Sequence, residues 1–201
     1  MKENSTNKNE LSKVLIVVGP SGVGKDTVMK KVSQKYPEYF KKGVTHTSRK
    51  MRPGEKEGYN YYYISKEDFL KLKKEDGFIH SILYNDNYYG LSKKELEEGT
   101  KDNKILYLII DINGAQQFHD LNIPSNFVAI LPPSEKVLKQ RLIEREAESL
   151  DVIEGRLNTA KTEIRRINES NFFNIIIYND ILYKTVLDLE EKLKILYPQL
   201  K

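Results

Sequence analysis

Four continuous apolar runs punctuate this chain: KVLIVV from Lys13, KILYLIID from Lys104, NFVAIL from Asn126 and FNIIIY from Phe173. Apolar residues that follow one another without alternation predict strands covered on both faces, as in the interior of a parallel sheet. Helical stretches begin near Lys25, Gly114, Ser134, Asp151 and Asp180, between and after these runs. In the first, DTVMKKVSQKY, the residues Val28, Val32 and Tyr36 recur at helical spacing and mark one buried face. Strands separated by helices predict βαβ crossovers and an α/β fold, a parallel core sheet flanked by helices, which binds its ligands at the carboxyl ends of the strands.

Two stretches interrupt that pattern. Residues 43–92 are rich in tyrosine and short β-prone pieces, with YNYYYI and FIHSILY flanking a helix from about Ser65 to Asp76. They predict an inserted, largely antiparallel subdomain whose aromatic residues pack a small sheet. The second interruption, RLIEREAESLDVIEGR over 141–156, carries Arg141, Arg145 and Arg156 around a polar connection. A solvated helix pair would account for them; so would a mobile lid that brings arginines onto a transferring phosphoryl group. The expected organisation is a single domain: a disordered tail over 1–12, a core of 13–42 and 93–201, the insert at 43–92 and the lid at 141–157.

Composition narrows the class. With 39% hydrophobic and 31% charged residues, the 201-residue chain has the make-up of a soluble globular protein large enough to bury a core. Its longest apolar runs, such as Ile105 to Ile110, are far too short to span a bilayer, and MKENSTNKNE lacks the apolar centre of a secretory signal. A cytoplasmic address without a membrane partner is expected. The absence of cysteine excludes disulfides and thiolate metal sites, and His46, His80 and His119 show no metal-ligand spacing. The net charge of +4 is spread over lysines interleaved with glutamates, as in SKEDFLKLKKED. That is the pattern of a solvated helix face rather than a nucleic-acid footprint.

The candidate chemistry starts where the first strand ends, in GPSGVGKDT. Gly19, Gly22 and Gly24 let the backbone turn tightly enough for amide hydrogens to face phosphate oxygens, and the following helix adds the positive end of its dipole. Ser21, Gly22, Val23, Gly24, Lys25, Asp26 and Thr27 are therefore the expected ATP-phosphate cradle, with the Lys25 ammonium against the β- and γ-phosphates. The usual pattern continues with Ser or Thr after the lysine; here Asp26 stands in that place and Thr27 one later. Asp26 is accordingly the candidate ligand for the Mg²⁺ that accompanies ATP.

Taken in order, GPSGVGKDT, TSRKMRPGEKEGYNYYY, NYYG, LPPSEKVLKQRLIERE and IYND resemble the guanylate kinases, which transfer a phosphoryl group from ATP to GMP. The resemblance runs from about Val14 to the carboxyl-terminal helix and implies the P-loop nucleoside-monophosphate-kinase fold, with a small mixed α+β nucleotide-binding insert and a lid. It implies that Arg49 and Arg52 grip the GMP phosphate, which suits the planar fork of a guanidinium. It further implies roles for Thr45, Tyr61 and Tyr89 at that phosphate, for Arg141 and Asn179 at the ATP base, and for Arg145 and Arg156 as lid arginines. Asp111, at the end of a core strand, falls near the metal and the acceptor. ATP and GMP, with dGMP, are thus the expected substrates of a cytoplasmic transferase of purine nucleotide metabolism, acting as a monomer or homodimer.

The sequence leaves the family pattern at the base-binding positions: His80 stands where a glutamate is usual, Leu91 where a hydroxyl residue is usual, and Ile109 where an acidic residue is usual. A neutral imidazole offers one acceptor against the several lone pairs of a carboxylate. Two other readings stay open, the first of them on these grounds. One is a kinase of the same fold with a different phosphorylated acceptor; the other is a non-catalytic guanylate-kinase-like binding module.

Overall fold

The computed structural model describes residues 12–84, 86–101, 104–145 and 150–201. All but the last residue of the expected tail, and 146–149 of the expected lid, lie outside them. The core is a five-stranded parallel sheet in the order β2-β7-β1-β8-β9. Its members are β1 (Val14–Val18), β2 (Phe40–Lys42), β7 (Ile105–Ile109), β8 (Asn126–Leu131) and β9 (Ile175–Tyr178). The four apolar runs supply β1, β7, β8 and β9. The fifth strand, β2, buries only Phe40 of its three residues and has no apolar run to announce it.

Every residue of the central strand β1 is buried, and its side chains divide between two cores. Leu15 and Val17 pack with Val28 and Val32 of α1 (Lys25–Lys35) and with Leu189 and Leu193 of α7 (Leu182–Leu196). Val14, Ile16 and Val18 pack on the other side with Phe118 of α4 (Ile112–Asp120) and Ile167 of α6 (Leu150–Glu169). This two-sided burial is why β1, β7 and β8 read as continuous apolar runs, whereas the edge strand β9 buries Ile175 and Ile177 and leaves Ile176 and Tyr178 exposed. β1 lies between β7 and β8; the crossover that leaves β1 runs to β2 on one side and the one that leaves its neighbour β7 runs to β8 on the other, which opens a crevice at their carboxyl ends.

α1 and α7 are also locked by charge. The Glu190 carboxylate accepts hydrogen bonds from Lys35 Nζ at 2.5 Å, Tyr36 Oη at 2.5 Å and Lys194 Nζ at 3.1 Å, and these hold its pKa at about 2, the Lys35 contact contributing most. A depressed carboxyl stabilises the fold above its ordinary range and loses that contribution as pH falls toward 2. Glu190→Gln is expected to cost about 1 kcal/mol at pH 7, a drop in Tm of roughly 2–4 °C that vanishes in melts near pH 2.

The insert forms a second sheet in the order β4-β3-β6-β5 from β3 (His46–Thr47), β4 (Tyr62–Tyr63), β5 (Phe78–Tyr84) and β6 (Asn87–Ser92). β6 runs antiparallel to both β3 and β5, but β3 and β4 are parallel, so the sheet is mixed. Helix α2 (Lys66–Lys74), capped by Ser65, covers one face and lays Phe69 against Phe78 and Tyr88 at ring separations of 4.4 and 5.2 Å. On the other face Tyr89 of β6 meets the Tyr61 ring. Helix α3 (Lys93–Thr100) fastens this sheet to the core: its buried Glu95 accepts from the Val44 amide at 2.9 Å and from Tyr62 Oη at 3.2 Å. Beyond β8, α5 (Glu135–Arg145) and α6 pack together through Leu138, Leu142, Ile153, Leu157 and Ala160.

Candidate active site at the carboxyl end of the core sheet

The glycine-rich turn leaves β1 at the crevice. Gly19 passes so close to β8 that a Cβ there would lie 2.1 Å from the Ile130 carbonyl oxygen. Gly24 has φ +95° and caps α1 without a capping side chain, which leaves the start of that helix shaped to receive an anion. Lys25 Nζ folds back over the turn and donates to the carbonyl oxygens of Gly19 at 2.7 Å and Pro20 at 3.1 Å. Val23 is buried, Ser21 and Thr27 are exposed, and Gly22 lies under Leu142 of α5.

Asn179, just past β9, braces the turn from behind. Its Nδ2 donates to the Val23 carbonyl at 2.8 Å and its backbone amide to Leu131 O at 2.8 Å, while its buried Oδ1 has no hydrogen-bond partner. Arg141 of α5 donates to the carbonyl oxygens of Asn179 at 2.7 Å and Asp180 at 2.9 Å. The two residues expected at the ATP base thus form one bracket around the phosphate turn. Arg156 is half-buried on α6, and Arg145 closes α5.

Across the crevice, the structure brings Arg49, Tyr61 and Tyr89 together. The Arg49 guanidinium lies 5.4 Å from the Tyr61 ring and 5.8 Å from that of Tyr63, and Tyr61 meets Tyr89 edge-on at 5.8 Å. Glu55, which the sequence motifs do not single out, organises this arm. Its carboxylate takes two hydrogen bonds from Arg49 Nη2 at 2.8 and 3.0 Å, one from Tyr63 Oη at 2.7 Å and one from the Arg52 amide at 2.8 Å. Partial burial would raise this carboxyl, but those donors outweigh it and hold it at about 2; the same pair raises Arg49 above its ordinary value against the effect of burial. The Arg52 side chain is exposed and Thr45 half-buried, its carbonyl accepting from Tyr62 N at 2.9 Å.

Of the positions expected to bind the base, His80 and Leu91 lie farther along the same sheet and Ile109 ends the core strand β7. His80 pairs with Leu91 across β5 and β6, is 5% exposed, and places Nε2 where a Cβ on Gly114 would approach to 2.8 Å. Its Nδ1 is buried without a partner, and burial lowers its pKa against the opposing pull of Asp111, so the ring is neutral at physiological pH. Asp111 caps α4, accepting from the amides of Asn113 at 2.7 Å and Gly114 at 2.9 Å. Leu91 is wholly buried, and Ile109 packs against the α1 and α7 side of the core.

α6 contributes a residue that the sequence motifs also pass over. Glu163 stands seven positions after Arg156, on the same helical face, and burial chiefly, with Asp111 adding, raises its carboxyl to about 7 although Lys25 and Arg166 pull the other way. A carboxyl raised in the folded state favours folding below its ordinary range, and that benefit is lost as pH climbs through 7. Glu163→Gln is therefore expected to flatten the decline of Tm between pH 5 and 8 and to stabilise the fold by about 2 kcal/mol at pH 8, allowing for its partial solvation. Thermal melts across that range check this.

Known proteins resemble this chain in sequence and fold. The sequence model of the family described as guanylate kinase matches residues 11–195. A guanylate kinase of Sus scrofa is 34% identical over 179 residues, 89% of this chain and 90% of that one. One of Schizosaccharomyces pombe is 35% identical over 178 residues, with 89% and 88% covered. Among solved structures, a guanylate kinase from Anaplasma phagocytophilum superposes with a TM-score of 0.71 at 28% identity, covering 94% of this chain and 86% of that one.

Proposed function

This chain belongs to the guanylate kinase family, and from that premise we propose that the crevice carries ATP-dependent phosphorylation of GMP, ATP plus GMP giving ADP plus GDP. The observation that carries the reading is the meeting of its two halves. Lys42 stands beside both Asp26 of the phosphate turn and Tyr59 of the insert, and the Asp26 charge bears on the Tyr61 hydroxyl, so the two anion-binding arms border one cleft.

The attacking atom is an oxygen of the acceptor phosphate, already ionised at neutral pH, so the transfer requires no general base. The protein contributes position and positive charge. In this reading the cradle from Ser21 to Thr27 holds the ATP phosphates, and Arg141 and Asn179 border the ATP base. Lys25, Arg145 and Arg156 balance the charge of the moving group. Arg49 and Arg52, with Thr45, Tyr61 and Tyr89, hold the acceptor phosphate, and His80 and Asp111 border its base.

Among the described residues no cluster of three His, Asp or Glu side chains could hold a metal ion. Mg²⁺ fits as a companion of ATP, with Asp26, a hard oxygen donor whose side chain is 73% exposed in the first turn of α1, as its protein ligand. When bound, the ion withdraws negative charge from the phosphoryl oxygens. No helix among the described residues is long and apolar enough to cross a membrane; the working address is taken as the cytoplasm.

A coupled assay with ATP, Mg²⁺ and each of GMP, dGMP, AMP, UMP and CMP tests the proposal, and GMP is expected to be preferred. The second reading, a different phosphorylated acceptor, draws on the buried His80 with its unpartnered Nδ1 and on the apolar surroundings of Leu91. A preference for any base but guanine would select it.

A further inference from the structure

Lys42 closes β2 at the rim of the crevice, where the core sheet gives way to the insert. The Gly43 amide next to it donates to Tyr107 O at 2.9 Å, fixing the backbone there. The Lys42 side chain is only 22% exposed; its Nζ lies 3.6 Å from Asp26 Oδ1 and 4.9 Å from the centroid of the Tyr59 ring. Asp26 belongs to the first turn of α1, immediately after Lys25, and Tyr59 to the bend that leads into Tyr61. Lys42 therefore stands between the phosphate turn and the tyrosine arm.

Asp26 poses an electrostatic problem at that place. A carboxylate in a first helical turn is favoured by the helix dipole, but a nucleotide polyphosphate at the same helix end brings charge of the same sign. The Asp26 carboxylate lies at the cleft, its Oδ1 3.6 Å from Lys42 Nζ, which itself stands over the Tyr59 ring.

We propose that Lys42 is a positioning residue of the ATP site, the charge counterpart that, when no Mg²⁺ lies between them, cancels the repulsion between Asp26 and the nucleotide phosphates and keeps that carboxylate at the rim of the cleft. The role rests on the phosphate-turn reading above and deepens it. An ion pair with one partner mostly exposed contributes little to stability, so the effect belongs in nucleotide binding rather than in folding. Lys42 also touches the insert through Tyr59, which makes the pair a point where the state of one arm is felt by the other.

The test is a double-mutant cycle on the full chain with Lys42→Met, Asp26→Ser and both together, reading ADP affinity by calorimetry without and with Mg²⁺, and Tm for each variant. Lys42→Met is expected to weaken ADP binding about ten-fold where Asp26 is present and less than about two-fold where it is Ser. Without Mg²⁺, Asp26→Ser alone is expected to leave affinity equal or tighter, Lys42→Arg to keep it, and the loss in Lys42→Met to shrink at high salt. Equal losses in both backgrounds, or no loss beside Asp26, would overturn the assignment. Lys25→Ala separates the two levels. If ADP binds the unmodified chain and Lys25→Ala weakens it while the cycle is additive, only the role of Lys42 fails; if ADP does not bind the unmodified chain, the phosphate-turn reading fails with it.

Discussion

Lys25→Ala is expected to lower turnover by about 100-fold or more, because the ammonium stabilises charge that is greatest as the phosphoryl group moves. The same side chain donates to Gly19 and Pro20 carbonyls at the surface of the turn, and those oxygens can turn to water when it is removed. The fold is thus expected to survive with Tm changed by only a few degrees. Steady-state kinetics alongside a thermal melt check both halves; a near-normal kcat in a folded variant would remove Lys25 from the mechanism. The acceptor KM should move much less than kcat, since Lys25 lies on the ATP side of the cleft.

The second large effect is on the other arm. Arg49→Ala is expected to raise the KM for the acceptor by about 100-fold, the scale on which a charge-assisted fork to phosphate is lost, while the KM for ATP changes little. The variant also strands a carboxylate: Glu55 would keep the Arg52 amide and Tyr63 hydroxyl but lose both bonds from the guanidinium. A stability loss of about 2 kcal/mol should accompany the kinetic one. Arg49→Ala combined with Glu55→Gln is expected to recover much of that stability and none of the acceptor affinity, which separates packing from binding. Arg49→Lys should rescue poorly, because one ammonium cannot serve Glu55 and the Lys50 carbonyl from two separate nitrogens, as Nη2 and Nη1 do, and also lie flat against Tyr61 and Tyr63.

Much of this architecture is legible in the chain for a plain physical reason. β1, β7 and β8 are buried on both faces, so nearly every position in them has to be apolar and the runs stand out; β9, at the sheet edge, is apolar throughout although Ile176 and Tyr178 are exposed. β2 escapes notice because it lies at the sheet edge with two lysines in its three residues, and α3, reading KKELEEGT, because most of its face is solvated. The phosphate turn is readable since its function resides in backbone geometry that glycine alone permits. Glu55, Lys42 and Glu163 are different. Each is an ordinary charged residue in a charged chain, and its meaning comes from a partner supplied by folding: Arg49 for Glu55, Asp26 for Lys42, the Lys25 and Asp111 surroundings for Glu163.

The central position of β1 has a consequence for how the molecule comes into being. Its register pairs Val14 with Leu106 and Leu15 with Asn126, so the strand emerges from the ribosome roughly 90 to 110 residues ahead of both its neighbours. Loop closure over such distances is slow, and an apolar strand without partners is exposed to aggregation in the interval. The glycine-rich turn after β1 is thus synthesised well before the strands that complete its sheet, and in a nascent chain stalled before β8 it has no Ile130 carbonyl to pack against.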